Sequence, residues 1–436
     1  MKNYWKFMLA AFAVLAAVSC AKQEMTDPDE KLENQETVVD GNLVPMSITV
    51  GSEGTKTDIA DNLKSVVWCE DDKIAVFDAA GEIREFTVQP GSINGGTAVF
   101  EGAVLEGTTD YYAVYPYSAA VSCADGKVVA TTMTEQVLEG GKVADGAIVA
   151  VGKSKVGQAL QFKNVVGVMR MDLTYDDVTE IILDGAALAG TATFDPATGE
   201  IEEGTLASAS NSVTLKPSGD VFAPGSYFVP LLPGTTAKDG FHMAMVRAED
   251  KGAVHTATEE VAIPRNGGFF VQDTKLTESF VIKDAESLQT FLTKAKDYEA
   301  EQLATIVRDI DLTGVTLTPA SDFAGVLNGA GHSLKNWTTN GPLFTKTSAG
   351  SVVKDFVLEA SCNLNMKETD DKQAFVVATN AGTVSGITNK ADIDYVQTEY
   401  LQSRVYGTIV GYSTGLVSDC HNEGDITLTL ANFDYT

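Results

Sequence analysis

At 436 residues the chain is too long for one small domain and long enough for two or three. A formal net charge of −29, with only six arginines, makes nucleic acid and anionic lipid headgroups poor partners. Its four histidines and five cysteines include no HExxH and no CxxC, so neither a zinc site nor a dense disulfide framework is signalled.

In chain order, Lys2 and Lys6 precede an apolar run from Phe7 to Val18. Its twelve residues fall short of the ~20 a transmembrane helix needs and suit a signal peptide. The run ends in Ala17-Val18-Ser19-Cys20, which resembles a lipobox. The resemblance implies removal of residues 1–19, a diacylglycerol on the Cys20 sulfur and an acyl chain on its new amine. Each buried CH₂ contributes ~0.8 kcal/mol, so two or three chains hold such an anchor. Residues 21–43 carry seven acids against two lysines, the composition of a disordered tether. Acids directly after a lipidated cysteine resemble the surface-export signal of Bacteroidota lipoproteins, which implies an outer-membrane protein exposed at the cell surface. A solvated spacer that stays in the periplasm is the other reading of the same composition.

From Val44 the pattern changes to short β runs broken by Gly, Asp and Pro. Met46–Val50, Lys73–Phe77, Glu85–Val88, Thr97–Phe100 and Asp110–Tyr115 come first. Val166–Leu173, Val178–Leu183, Ser226–Val229 and Phe241–Val246 follow. Many short strands without a helical period argue for antiparallel sandwiches. The span 44–276 is long enough for two, divided here at 44–130 and 131–276. Trp68, beside Val66 and Val67, reads as core.

Five segments in order resemble the fimbrillin-like (Mfa-like) family of Bacteroidales surface lipoproteins. They are Val67-Trp-Cys-Glu-Asp-Asp-Lys-Ile-Ala-Val-Phe77, Tyr111-Tyr-Ala-Val-Tyr-Pro-Tyr117, Leu160-Gln-Phe-Lys-Asn-Val-Val-Gly167, Ile181-Ile-Leu-Asp-Gly-Ala-Ala-Leu-Ala-Gly190 and Gly225-Ser-Tyr-Phe-Val-Pro-Leu-Leu-Pro-Gly234. The resemblance implies two tandem transthyretin-like β-sandwiches and a role in adhesion, with fimbrial subunits, host surface proteins or glycans as partners and no cofactor. Family members polymerise after a protease, often arginine-specific, removes an N-terminal strand. No arginine lies between Cys20 and Arg84, although Lys31 and Lys56 remain. The expectation is therefore a tip or non-polymerising anchored component.

Region 277–436 opens with a capping helix: Asp284 is a ready N-cap, and Leu288, Phe291, Leu292 and Ala295 recur at helical spacing. A repeat follows, with Gly382-Thr-Val-Ser-Gly-Ile-Thr-Asn-Lys-Ala-Asp-Ile393 matching Gly415-Leu-Val-Ser-Asp-Cys-His-Asn-Glu-Gly-Asp-Ile426 without gaps. An older copy is suggested at Pro342–Phe344 and Gly350–Val352. Short β runs with periodic Gly argue for a stacked solenoid. Gly407–Gly415 resembles the GLUG repeat of bacterial surface proteins, implying a right-handed parallel β-helix. The register predicts Asn389 stacked on Asn422 in an amide ladder. Residues 426–436 read as a strand without a cap, so a longer natural chain is expected.

Chemistry is weakly signalled. His242, His255, His332 and His421 are read as structural, and Asn94-Gly-Gly96 lacks the Lys-Ser/Thr of a phosphate loop. The acid pairs Asp309/Asp311 and Asp392/Asp394 each point to one side of a strand. No Lys or Arg base stands out beside either pair, Arg308 next to Asp309 pointing to the opposite face, and Asp392 falls on Asp425 in the repeat. The expectation is no enzyme, no metal and no cofactor, with a glycan-binding or glycan-cleaving β-helix surface protein as the alternative. Trp337, Tyr406 and Tyr412 are the candidate ligand contacts, Trp337 being read as exposed between Asn336 and Thr338. Cys69, Cys123, Cys362 and Cys420 are expected to be buried free thiols.

Overall fold

The computed structural model describes residues 41–52, 68–206, 210–238, 240–248, 251–272, 276–364, 372–397 and 405–430. Cys20, Lys31 and Lys56 lie outside the described residues. The described chain is all-β apart from one α-helix and isolated 3₁₀ turns.

Seven strands pair in a closed ring. Leu43–Ser52 runs antiparallel to Ala98–Leu105 on one side and parallel to Leu160–Asn164 on the other. The ring continues through Ala150–Lys155, Asp110–Tyr115, Lys73–Phe77 and Ile83–Val88. Closure leaves none of the seven with an open edge. Inside lie Val50, Ile74, Val76, Phe86, Phe162 and Trp68, the last edge-on to Phe100 at 5.2 Å and Tyr115 at 5.4 Å. After its first residue, Lys73–Phe77 is buried throughout. Ile74 and Val76 fill the ring, whereas Ala75 and Phe77 join the core of the next body. A strand buried on both faces needs no polar alternate, which explains the unbroken run Ile-Ala-Val-Phe.

The next body contains a six-stranded sheet in the order Thr277–Glu278, Gly252–Thr256, His242–Arg247, Val178–Ala189, Ser210–Pro217, Glu135–Leu138. A three-stranded sheet of Gly225–Leu231, Gly167–Leu173 and Gly268–Gln272 shares its core. Alternation is clear in Gly167–Leu173: Met169 and Met171 are buried, while Arg170 is exposed and paired to Asp172. Pairing interleaves across residue 130. Lys127–Thr131 pairs with Thr191–Phe194, and Ala150–Asn164 belongs to the first ring.

Only Ser279 separates this sheet from the last region. Thr277 and Glu278 pair antiparallel with Val254 and Ala253, and Phe280–Ile282 pairs parallel with Ala304–Ile306. From Phe280 to Leu430 every described strand pair is parallel. One sheet runs Phe280–Ile282, Leu303–Ile306, Val326–Asn328, Val352–Lys354, Thr383–Ser385, Leu416–Ser418, and a second runs Ile310–Asp311, Ser333–Lys335, Val357–Leu358, Thr388–Asn389, His421–Asn422. Stacked partners are 24 residues apart at Asp309 and Ser333 and 33 apart at Asn389 and Asn422. The stretch around 342–352 aligns with the repeat: Phe344 pairs with Val377, and Val352 with Thr383.

The helix Ala285–Lys294 is capped by Asp284, whose carboxylate accepts from the Ser287 N–H while the Ser287 hydroxyl closes the capping box. Its buried face is Leu288, Phe291 and Leu292, with Ala295 just beyond. Phe291 lies edge-on to Phe323 at 5.6 Å and Phe344 at 6.3 Å, so the helix closes over the first turns of the parallel core.

Two expectations are corrected. Trp337 is fully buried, 5.9 Å from Phe375 between ring centroids. The preceding Asn336 has φ +56°, and this left-handed turn sends the polar neighbours outward while the indole turns into the core. Of the four described cysteines, none in a disulfide, only Cys362 is buried. Cys123 and Cys420 are half-buried, and Cys69 is exposed.

Candidate functional site

Each strand of the second parallel sheet presents one inward residue between two outward ones. The inward column is Ile310, Leu334, Leu358, Asn389 and Asn422. One outward column begins with Asp311 beside Lys335 and continues, one residue past each paired position, through Glu359, Lys390 and Glu423. The sign alternates at every step. Lys390 lies 3.6 Å from Glu359, while Lys335 reaches across to Asp309 at 2.6 Å. Such half-exposed pairs each contribute ~0–1 kcal/mol. Their main consequence is a charge-balanced strip on a strongly acidic chain. Asp311 accepts from Thr313 and from Asn336, so the Asp309/Asp311 pair is engaged in turns and in a contact with Lys335 that the linear sequence did not reveal. Asp392 likewise accepts the Asp425 N–H at 2.8 Å, a coil-to-coil tie.

The parallel core contains polar ladders. Asn389 donates to the Asn422 side chain at 2.8 Å and to the Ala391 carbonyl at 2.9 Å. A second ladder escaped sequence reasoning: Thr347 donates to Asn380 at 2.8 Å, and Asn380 donates to Ser413 at 3.0 Å. Its signal, a hydroxyl or amide recurring at positions 347, 380 and 413, was present in the repeat spacing. Thr347, Asn380 and Asn389 are buried members of the two ladders, whereas Ser413 and Asn422 are exposed, and Asn389 Oδ1 has no hydrogen-bond partner in the structure.

The candidate aromatic contacts do not form a strip. Trp337 is internal. Tyr406 is half-buried and pairs in register with Gln373. Tyr412 is 44 % exposed, and Lys372 sits 4.8 Å from its ring centroid, occupying one face.

An electrostatic cluster lies where the six-stranded sheet meets the parallel stack. Glu180 accepts from Lys283 and from Arg308, the latter at 3.4 Å; Arg308 also donates to Thr214 Oγ1 at 3.2 Å. Ile182 and Ala244 of the sheet pack with Val281 and Val307 of the stack. Nearby, buried His332 has Nε2 3.8 Å from Asp184 and Nδ1 3.8 Å from Asp309. The His242 ring stands 6.3 Å away and is tied through Nδ1 to Thr256. Burial pushes the Asp184 carboxyl up to about 6, against the lowering charges of His332 and Arg308. Asp309 is held well below the usual carboxylate range by His332, Lys335 and the Ser333 N–H. At 3.8 Å the His332 Nδ1 lies beyond hydrogen-bond range, so the 2.6 Å Lys335 bond and the 2.9 Å Ser333 bond are the closer supports. Two carboxylates beside a histidine resemble acid/base machinery, but His332 and Asp184 side chains are only 9 % and 15 % exposed. Among the described residues no group of three His, Cys, Asp or Glu side chains is arranged to hold a metal ion, and no helix is long and apolar enough to cross a membrane.

No protein-family model matches the chain, and no curated protein does. Solved structures similar to it include a candidate cell adhesion protein of Bacteroides ovatus, 14 % identical over 54 % of this chain and 95 % of that one, with a TM-score of 0.36. A fimbrial assembly protein of Parabacteroides distasonis is 11 % identical over 54 % and 94 %, TM-score 0.26. The tip fimbrial protein Mfa3 of Porphyromonas gingivalis, C-terminally truncated, is 12 % identical over 49 % and 81 %, TM-score 0.24.

Proposed function

We propose that the chain is a fimbrillin-like surface lipoprotein acting in adhesion, anchored through Cys20 in the outer membrane and displaying a right-handed parallel β-helix on two tandem β-sandwiches. We divide it at 1–19, 20–43, 44–130, 131–276 and 277–436. The strand interleaving across residue 130 ties the two sandwich segments to each other. The observation that carries the reading is the junction at Ser279. The antiparallel sheet continues into parallel strands without a linker, and the Glu180–Lys283–Arg308 contacts clamp the join. A rigid join suits a protein that must hold a recognition surface at a distance and bear load there. The lipobox and the five fimbrillin-like segments supply the anchor and the family expectation.

A non-polymerising role fits the ring, in which the first described strand pairs along its length with Ala98–Leu105. Arg84 sits within Ile83–Val88 and bonds the buried Asp78 at 2.7 Å, so it does not offer the tether cleavage point of a stalk subunit. The test is adherence to host matrix and epithelial surfaces by cells carrying the wild-type chain or Cys20→Ser. Loss of adherence with release of the protein into the medium supports the reading. Unchanged adherence and fractionation overturn it.

A further inference from the structure

The six-stranded sheet and the parallel stack meet through one buried imidazole with a carboxylate on each side. His332 Nε2 faces Asp184 of the sheet and Nδ1 faces Asp309 of the stack, each at 3.8 Å. We propose that this joint is a proton-operated latch: a proton shared between Asp184 and His332 Nε2 closes it, and loss of that proton loosens the stack against the sheet. The inference goes beyond the adhesin reading by giving the join a pH response, and it depends on neither the lipid anchor nor a ligand.

Three observations converge. The first is that both partners are held by their own bodies. The His332 N–H donates to the Gly329 carbonyl at 2.9 Å, and the His332 carbonyl accepts from Val357 at 3.0 Å. Asp184 lies within Val178–Ala189, in register with Ser212 on one side and His242 on the other. The gap between Nε2 and the carboxylate therefore follows the separation of sheet and stack.

The second is where the protons of the ring go. A neutral imidazole carries one N–H and one lone pair. Asp309 is fixed as a carboxylate by Lys335 at 2.6 Å and by the Ser333 N–H at 2.9 Å, so the ring N–H is assigned to Nδ1, facing it. Nε2 then turns its lone pair toward Asp184, and it is a buried atom with no hydrogen-bond partner. A carboxylate repels a lone pair. A proton entering the gap, on the carboxyl or on Nε2, converts the contact into a charge-assisted hydrogen bond and draws the two sides to about 2.7–2.9 Å.

The third is the surroundings. Among the described residues, Arg308 and Asp309 of the stack and His242 and Glu180 of the sheet are the other titratable groups around this pair. Glu180 is taken by Lys283 and Arg308, and His242 Nδ1 by Thr256. Arg308 bonds Glu180 and Thr214 and makes no ion pair with Asp184. The His332 and Asp184 side chains are 9 % and 15 % exposed, so little water screens the contact. Burial lifts the Asp184 carboxyl to about 6, so the proton is held below that value and released as pH rises through it.

The test is amide hydrogen exchange on the full-length lipoprotein in detergent at pH 5 and pH 8, corrected for the intrinsic pH dependence of exchange. Protection of Phe280–Ile282 and of residues 329–334 should fall about tenfold or more at pH 8, one factor of ten per unit of pKa difference. Protection of Ala98–Leu105 in the ring should not change. Asp184→Asn places an amide N–H opposite Nε2 at either pH, so it should keep its pH 5 protection at pH 8. Asp309→Asn frees the ring to turn its N–H toward Asp184 and should shrink the pH difference about threefold or more. Equal protection at both pH values overturns the proposal. So does a pH difference that survives Asp184→Asn, or one shared by Ala98–Leu105, which marks global unfolding. Should Asp184→Asn fail to fold, an unchanged pH difference in Asp309→Asn overturns it equally. The exchange is read on purified protein, so failure of the adherence test leaves this result standing, and the reverse holds.

Discussion

The antiparallel bodies and the parallel stack reach a dry interior by different routes. In the antiparallel part single strands are long, up to the twelve residues of Val178–Ala189, and some are buried on both faces. In the stack the strands are two to five residues long, and burial comes from columns such as Leu327, Val353 and Val384 that cross many turns of chain. A long strand brings its own nucleus of apolar surface. A short one contributes only when its neighbours above and below are in place, as in other one-dimensional repeats. Damage to the ring should therefore spread through the antiparallel core, whereas damage to the stack should remain near the altered coil.

The sharpest way to break this comparison is Trp337→Ala. Deleting a fully buried aromatic costs ~3–5 kcal/mol. The loss should appear in a urea transition assigned to the stack, with the Trp68 environment of the ring unchanged until higher denaturant. A loss below ~0.5 kcal/mol would put the indole back on the surface.

Asp184 tests the join between the regions. Its folded pKa of about 6 lies above its ordinary 3.8, so between those values the folded state holds more protons than the unfolded one. By linkage, stability from this group is fully present below 3.8 and is lost as pH rises through about 6. Asp184→Asn should flatten that slope and raise stability at pH 8 by up to roughly 3 kcal/mol, at 1.36 kcal/mol per unit. Asp309 acts in the opposite sense, because its lowered pKa gives stability that is lost only on acidification below the ordinary carboxylate range. An unchanged slope from pH 4 to 6 in the variant would remove Asp184 from the account.

Gly252→Ala probes the same join sterically. The new methyl meets Val281 at 2.5 Å and the Ser279 oxygen at 2.6 Å, one of them backbone. A cost of ~1–3 kcal/mol is expected, with the antiparallel and parallel transitions moving together. The smallest effect separates two residues of one ladder. Asn389→Ala should cost ~1–3 kcal/mol by orphaning the carbonyl of buried Ala391, whereas Asn422→Ala, exposed in the last described turn of the stack, should stay within ~0.5 kcal/mol. Equal losses would show that Asn422 is covered.

Local signals were the legible ones. Asp284 and the spacing of Leu288, Phe291 and Leu292 identified the helix, because a cap and an amphipathic face are both contained within a dozen residues. The repeat placed Asn389 beside Asn422 because a gapless period fixes stacking register. Trp337 was misread because polar neighbours imply exposure only where the chain is extended, and Asn336 is in a left-handed turn. The Asp184–His332 contact and the Lys335–Asp309 bond were out of reach, since each depends on how separate strands are brought together.

In the proposed arrangement Cys20 holds the protein at the cell surface with the stack displayed outward. Intact cells should be labelled by an antibody raised against residues 277–436, and Cys20→Ser should move that signal from the cells to the medium. Labelling that appears only after the outer membrane is permeabilised, or a Cys20→Ser protein that stays with the membrane fraction, would contradict the account.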